Sequence, residues 1–128
     1  MSKTKARDGR VLEALFATIE SRRRADPKTS YTAKLLAHGA GTIGDKVIEE
    51  AAEVAFAALK ETRPRVVAES ADVLYHLLVL WAARGVKPAM VWAELARREG
   101  LSGIAEKKAR PQKTKTETKT KKKTRKAR

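Results

Sequence analysis

Apolar residues recur at helical spacing in four stretches of this 128-residue chain, and no segment alternates apolar and polar residues for long. With no strand pattern there is no sheet for the helices to cover, so the expected fold class is all-α, a helical bundle of four to five helices. The first helix follows Asp8 as N-cap and aligns Val11, Leu12, Leu15, Phe16 and Ile19, with Arg22, Arg23 and Arg24 near its C-terminus and Asp26-Pro27 beyond it. A short helix starts at Ser30 or Thr32, passes through Leu35 and Leu36, and is stopped by Gly39 and Gly41. The next runs from near Thr42 to about Lys60, ahead of Arg63-Pro64. Another runs from shortly after Pro64 to Arg84 and stops at Gly85; a last one opens at Pro88 and closes at Gly100.

Charge divides the chain in two. Residues 106–128 hold 12 basic and 2 acidic side chains, a formal +10 of the whole chain's +14, whereas residues 1–105 hold 17 and 13. The body, 1–105, has the size of one domain with one core. From Lys107 onward there is no large apolar side chain, so this tail is expected to be disordered and to offer polyanions non-specific contact. The absence of cysteine excludes disulfides, thiolate zinc sites and thiol nucleophiles, so any metal is held by oxygen or imidazole. The start carries no signal-peptide pattern, and the densest apolar run, Val73 to Ala83, is ~16 Å long as a helix against ~30 Å of hydrocarbon. No membrane span and a cytoplasmic protein are the expectation.

The charged residues inside the body carry the functional signal. On the helix from Thr42 to Lys60, the 3.6-residue period places Val47, Ile48, Ala51, Val54, Ala55, Ala58 and Leu59 on one apolar face and Lys46, Glu49, Glu50 and Glu53 opposite it. Acids opposite an apolar stripe are ordinarily a solvated face. The following helix changes the weighing, because Val73–Ala83 is apolar all round except for His76, yet its opening turns carry Glu69 and Asp72 on the same face as that histidine. Glu69 also has an innocent role near a helix N-terminus, Asp72 can pair with His76, and a lone histidine in an apolar helix is most often a satisfied core residue. If the two helices pack antiparallel, however, five carboxylates meet. Two like charges ~5 Å apart repel by roughly 3 kcal/mol at an effective dielectric near 20, and Lys46 alone does not offset this. The arrangement calls for a hard divalent cation, Mg²⁺ by preference, since it takes a few carboxylates and keeps sites for water and phosphate oxygens.

Glu49-Glu50-x-x-Glu53, then fifteen residues, then Glu69-x-x-Asp72 resembles the EExxE…ExxD signature of the all-α, MazG-like nucleotide pyrophosphatases. Asp26 to Leu36, Ala71 to Leu78 and Val91 to Arg98 narrow the resemblance to the phosphoribosyl-ATP pyrophosphatases (HisE) of histidine biosynthesis, over roughly Val11 to Arg98. The resemblance implies Mg²⁺-dependent hydrolysis of phosphoribosyl-ATP to phosphoribosyl-AMP and pyrophosphate by a homodimer of helical subunits. It implies Glu50, Glu53, Glu69 and Asp72 as metal-binding acids, with Glu49 binding metal or positioning water. The chain departs from the family pattern at Ile48, where a glycine is usual. Lys34, Lys46, Arg23 and Arg24 are candidates to neutralise phosphates, and His76 to orient a carboxylate or phosphate. Three consecutive arginines at the end of a helix are also ordinary surface charges.

Two other readings fit the same residues. A house-cleaning nucleoside triphosphate pyrophosphatase would use the same acids and metal. A helical dimer binding nucleic acid through its tail would need none of them, although that tail lacks aromatic residues for base stacking. Leu77, Leu80, Trp81 and Trp92 offer apolar surface for a dimer interface.

Overall fold

The computed structural model describes residues 7–111, and in these every regular element is a helix. The order is α1 Arg10–Ser21, α2 Tyr31–His38, α3 Ala40–Lys60, α4 Arg63–Arg84, α5 Pro88–Arg98 and α6 Gly103–Ala109. The chain divides into two compact units, Met1–Ala93 and Glu94–Arg128, so α5 spans the division.

Helix boundaries follow local chemistry. The Asp8 carboxylate accepts from the Arg10 N–H at 3.0 Å and pairs with its guanidinium at 2.8 Å, anchoring the start of α1. That helix ends at Ser21, short of the three arginines, and Val11 lies on its exposed side rather than in the stripe. Ser30 caps α2 by accepting from the Ala33 N–H at 3.1 Å. Gly39 then serves both as the end of α2 and as the residue before α3, at φ +90° and ψ 175°. Because that one glycine completes the break, α3 starts at Ala40, and Gly41 is a helical residue instead of a stop. Only Glu61 and Thr62 separate α3 from α4, so these two longest helices form an antiparallel hairpin, the most extensive packing in the molecule. Gly85 ends α4 in the left-handed conformation, φ +70°, with the Val86 N–H reaching back to the Trp81 carbonyl at 2.9 Å.

The core gathers Ile19, Leu35, Ile43, Leu78, Val79 and Ala82, with Leu12, Leu15, Phe16, Leu36 and Tyr75 packed against it. On α3 the buried side differs from the expected one. Ile43 and Ala57 are fully buried and Val47, Glu50 and Val54 partly so, a 3–4 spaced seam, while Ile48 is 70% and Leu59 81% exposed. One neighbouring helix covers only a narrow seam, and the wide stripe of α3 exceeds it. The exposed apolar face continues onto α4 through Val67 and Leu74, next to a groove lined by Ala51, Val54, Ser70, Val73 and Leu74. The tryptophans, by contrast, are partly covered within the chain: Trp81 and Trp92 meet edge to face at 6.0 Å, and the Trp92 indole N–H donates to Glu13 at 2.6 Å.

Although the run Val73 to Ala83 is too short to cross a membrane, the whole of α4, Arg63–Arg84, is long and apolar enough by length and composition. It packs against α1, α2 and α3, however, and buries Glu69 and His76, as a bundle helix does. In the second unit, Glu94 lies between Arg97 and Arg98, whose hydrogen bonds hold its carboxyl at about 2. Ser102 caps α6 by accepting from the Ala105 N–H at 3.0 Å. This helix takes in Lys107 and Lys108, so the expected lack of structure from Lys107 onward does not hold as far as Ala109; alanine and lysine are good helix formers once a cap is present. The rest of the tail expectation, from residue 112, lies outside the described residues.

The glycines around the α2–α3 junction give opposite expectations. A Cβ at Gly39, Gly41 or Gly44 meets nothing within 4 Å, so only backbone conformation matters. Gly39→Ala should cost about 1–3 kcal/mol, because its dihedral region is almost confined to glycine. Gly41→Ala and Gly44→Ala should each stabilise by about 0.4–1 kcal/mol. Urea denaturation midpoints check both signs; a neutral Gly39→Ala would contradict the assigned junction.

Candidate active site

The site forms where the seam of the α3–α4 hairpin becomes acidic. Ile43, Val47, Glu50, Val54 and Ala57 follow one another at spacings of three or four on α3. Val66, Glu69, Val73, His76 and Leu80 do so on α4, all at least partly buried. Glu50 and Glu69 therefore occupy positions where a hairpin of this kind ordinarily places aliphatic residues. Their side chains are only 14% and 10% exposed. Asp72, one turn after Glu69, is exposed but reaches the same spot: one oxygen each from Glu50, Glu69 and Asp72 lie within 4.8 Å of one another.

Basic residues flank this group and share themselves with outer acids. Lys46 Nζ lies 3.6 Å from Glu50 and 3.4 Å from Glu49. Arg65 bridges Glu61, at 3.2 Å, and Glu69, which it contacts closely. Partial burial works against the Lys46 ammonium, but its hydrogen bond to Glu49 and the nearby negative charge outweigh this and raise its pKa. The Asp72 carboxylate has no basic partner among the described residues. Two cations thus serve five carboxylates, and three of the five converge. Each close pair of like charges costs roughly 3 kcal/mol at an effective dielectric near 20, so the point between them favours a further cation. All three donors are hard carboxylate oxygens, the set that suits a hard divalent ion rather than a soft one.

Of the expected acids, the hairpin brings together Glu50, Glu69 and Asp72. Glu49 points outward beside Lys46, 60% exposed. Glu53, one turn beyond Glu50, is exposed and stands outside the converging group. Ile48, the departure from the family pattern, lies on the exposed apolar side of α3, away from the acids.

His76 is a satisfied interior histidine. Its Nδ1 donates to the Asp72 carbonyl at 2.8 Å, leaving Nε2 to accept from the Tyr31 hydroxyl at 3.1 Å. Both ring nitrogens are thereby occupied, and the histidine orients the Asp72 turn and Tyr31 instead of contacting a carboxylate. Tyr75 stacks on Tyr31 with ring centres 6.2 Å apart, and its hydroxyl meets Thr32 Oγ1 at 2.5 Å.

The arginine candidates fare differently. Arg23 donates to Glu20 and to the Ala82 carbonyl, tying the end of α1 to the end of α4. Ala82 lies ten residues, ~15 Å of helix, beyond Asp72, so Arg23 is not gathered with the acids. Arg24 is exposed on the turn after α1. Lys34 is exposed and lines a groove with Lys28, Ser30, Tyr31 and His38. Arg65 was not among the expected residues, although its placement four residues after Glu61 and four before Glu69 is the pattern of a helical ion-pair bridge.

A family model described as Phosphoribosyl-ATP pyrophosphohydrolase matches residues 12–99, which include α2, α3, α4 and α5 whole. The chain belongs to that family. It is 59% identical over 108 residues to the phosphoribosyl-ATP pyrophosphatase of Paramagnetospirillum magneticum, covering 84% of this chain and 99% of that protein. It is 64% identical over 100 residues to the phosphoribosyl-ATP pyrophosphatase of Rhodospirillum rubrum, covering 78% and 86%. The histidine biosynthesis bifunctional protein HisIE of Wolinella succinogenes is 49% identical over 100 residues, covering 78% of this chain and 44% of that one. The resemblance to the phosphoribosyl-ATP pyrophosphatases, carried by Asp26 to Leu36, Ala71 to Leu78 and Val91 to Arg98 beside the two acidic motifs, is thus borne out over most of the body, and the chain is a hydrolase of this family.

Tyr75 gives the site a measurable signature. Burial raises its phenol pKa, against the hydrogen bond from Thr32, which lowers it. A raised folded-state value means that the stability contributed by the neutral phenol is complete below pH 10 and is lost as pH rises through the folded value. In Tyr31→Phe, which leaves Tyr75 as the only tyrosine, absorbance at the tyrosinate band should titrate above the ordinary pKa of about 10. A midpoint at or below that value would contradict the buried placement.

Proposed function

We propose that this chain hydrolyses phosphoribosyl-ATP to phosphoribosyl-AMP and pyrophosphate, with Mg²⁺ held by Glu50, Glu69 and Asp72. Family membership supports the substrate and reaction. The single structural observation that carries the reading is the convergence of three carboxylate oxygens, two from nearly buried side chains, within 4.8 Å. When bound, the metal supplies positive charge for the phosphate oxygens and acidifies a water. The reaction breaks the phosphoanhydride bond between the AMP and pyrophosphate parts; the water oxygen joins the phosphorus on one side of it, and the bridging oxygen leaves with the electron pair on the other.

The remaining roles belong to this chain's own side chains. Glu53, on the next turn of α3, would be a further carboxylate available to hold the metal, and Glu49 would take a proton from the water once Lys46 turns from it to a phosphate oxygen. Lys34 meets phosphate from α2. Arg65 holds Glu69 in place while no metal is bound and is released to solvent or to substrate when one is. His76 keeps the Asp72 turn and Tyr31 in register. Residues 1–105 carry the catalysis and 106–128 are dispensable for it. A second copy of the chain covers the exposed face of Ile48, Leu59, Val67 and Leu74, supported by its continuity across both hairpin helices. A cytoplasmic location accords with a biosynthetic role on a phosphorylated intermediate.

Pyrophosphate release from phosphoribosyl-ATP, followed against Mg²⁺ concentration, tests these roles together. Glu50→Gln, Glu53→Gln, Glu69→Gln and Asp72→Asn should each lower kcat/KM by at least about 100-fold, a loss of ~2.7 kcal/mol in transition-state stabilisation. Removal of 106–128 should leave turnover intact. Undiminished turnover in any acid variant removes that residue from the mechanism, and loss of activity on truncation would assign the tail a catalytic part.

A further inference from the structure

The groove at the start of α2 has a volume of 630 Å³ and is lined by Lys28, Ser30, Tyr31, Lys34 and His38, with no acidic residue in its wall. Lys28 and Lys34 form no ion pair among the described residues, whereas Lys46 and Arg65, flanking the acids, each bridge two carboxylates. Two uncompensated ammonium groups facing one cavity constitute an anion site by charge alone.

The walls are also preformed. Asp26 folds the entering loop, its carboxylate accepting from the Lys28 N–H and its carbonyl from the Ser30 N–H, both at 2.9 Å. Tyr31 also lines the groove, half exposed, its hydroxyl bound to His76 and its ring stacked on Tyr75. Through His76, Tyr31 is fastened to the same turn of α4 that bears Asp72. Tyr31 therefore links the lysine-lined groove to the turn of α4 that bears Asp72.

We infer that this groove binds the ribosyl 5′-phosphate of the substrate, with Lys28 and Lys34 as specificity-determining residues and Tyr31 as the positioning wall between the two ends. This rests on the reading that the triphosphate lies at Glu50, Glu69 and Asp72. Phosphoribosyl-ATP differs from an ordinary nucleoside triphosphate by its extra ribose phosphate, remote from the bond that breaks. A cationic groove beside an acidic, metal-seeking centre separates the two kinds of phosphate. The reacting triphosphate goes to the centre through metal, and the unreactive monophosphate goes to lysine. A nucleoside triphosphate lacking the second phosphate leaves both lysines unfilled and loses that part of the binding.

The test measures affinity for the two ends separately, on the full chain with Mg²⁺. Calorimetry with ribose 5-phosphate reads the groove, and calorimetry with pyrophosphate reads the acidic centre. In Lys28→Gln and Lys34→Gln the dissociation constant for ribose 5-phosphate should rise about tenfold or more, as expected for a charged hydrogen bond lost, while that for pyrophosphate stays within about twofold. With phosphoribosyl-ATP the same variants should show the loss in KM rather than kcat, and Tyr31→Leu should lower kcat as well, since it frees the wall between the ends. A parallel loss of pyrophosphate affinity would overturn the inference by placing the lysines on the reacting phosphates. Unchanged ribose 5-phosphate affinity in both variants would overturn it by leaving the groove unused. If the wild-type chain failed to hydrolyse phosphoribosyl-ATP, the proposed function would fall, and ribose 5-phosphate binding would still decide the groove independently.

Discussion

Carboxylates at interior positions of a helical hairpin are what the rest of this molecule is arranged around. Glu50 and Glu69 stand on the seam between α3 and α4, where valine or leucine would make a stronger hairpin. They are tolerated because each has a cation within reach, Lys46 on one side and Arg65 on the other. Asp72 adds a third oxygen to the same point without adding a partner. The hairpin is thus short of positive charge at one place, the place where the proposed cation would sit.

The other elements keep that place from relaxing. The short Glu61-Thr62 connection forces α3 and α4 to lie side by side, and the Gly39 break sets α2 against the pair. From α2, Tyr31 reaches His76, whose other nitrogen grips the Asp72 carbonyl. The backbone turn carrying the exposed acid is therefore held from inside the bundle. At the far end of α4, Arg23 satisfies the Ala82 carbonyl and Gly85 completes the cap, so the helix is secured also at the end away from the converging carboxylates.

Much of this was legible in the residues. The helices, their proline starts and most of their glycine stops follow from local rules, and the acids at Glu49–Glu53 and Glu69–Asp72 announce themselves by spacing. What escaped is what depends on the partner surface. The widest apolar stripe of α3 suggested its buried side, yet α4 covers the narrower seam through Ile43, Glu50 and Ala57, and Ile48 and Leu59 are left outside. Periodicity gives the angular width of an apolar face but not how many neighbours will cover it. His76 likewise read as a candidate for phosphate or carboxylate, but its two partners come from Tyr31 and from a backbone carbonyl, neither of which spacing reveals. Gly41 has the composition of a stop, but Gly39 alone completes the turn, and α6 runs three residues into the segment from Lys107 whose composition favours disorder.

One divalent cation held by the three converging carboxylates is the central proposal. Diffraction from crystals soaked in manganese, collected at an energy where that metal scatters anomalously, tests it most directly. The account predicts one strong peak within coordination distance of Glu50, Glu69 and Asp72, with Arg65 withdrawn from Glu69. A peak elsewhere, or three carboxylates turned to separate solvent-facing positions with no metal between them, would contradict it.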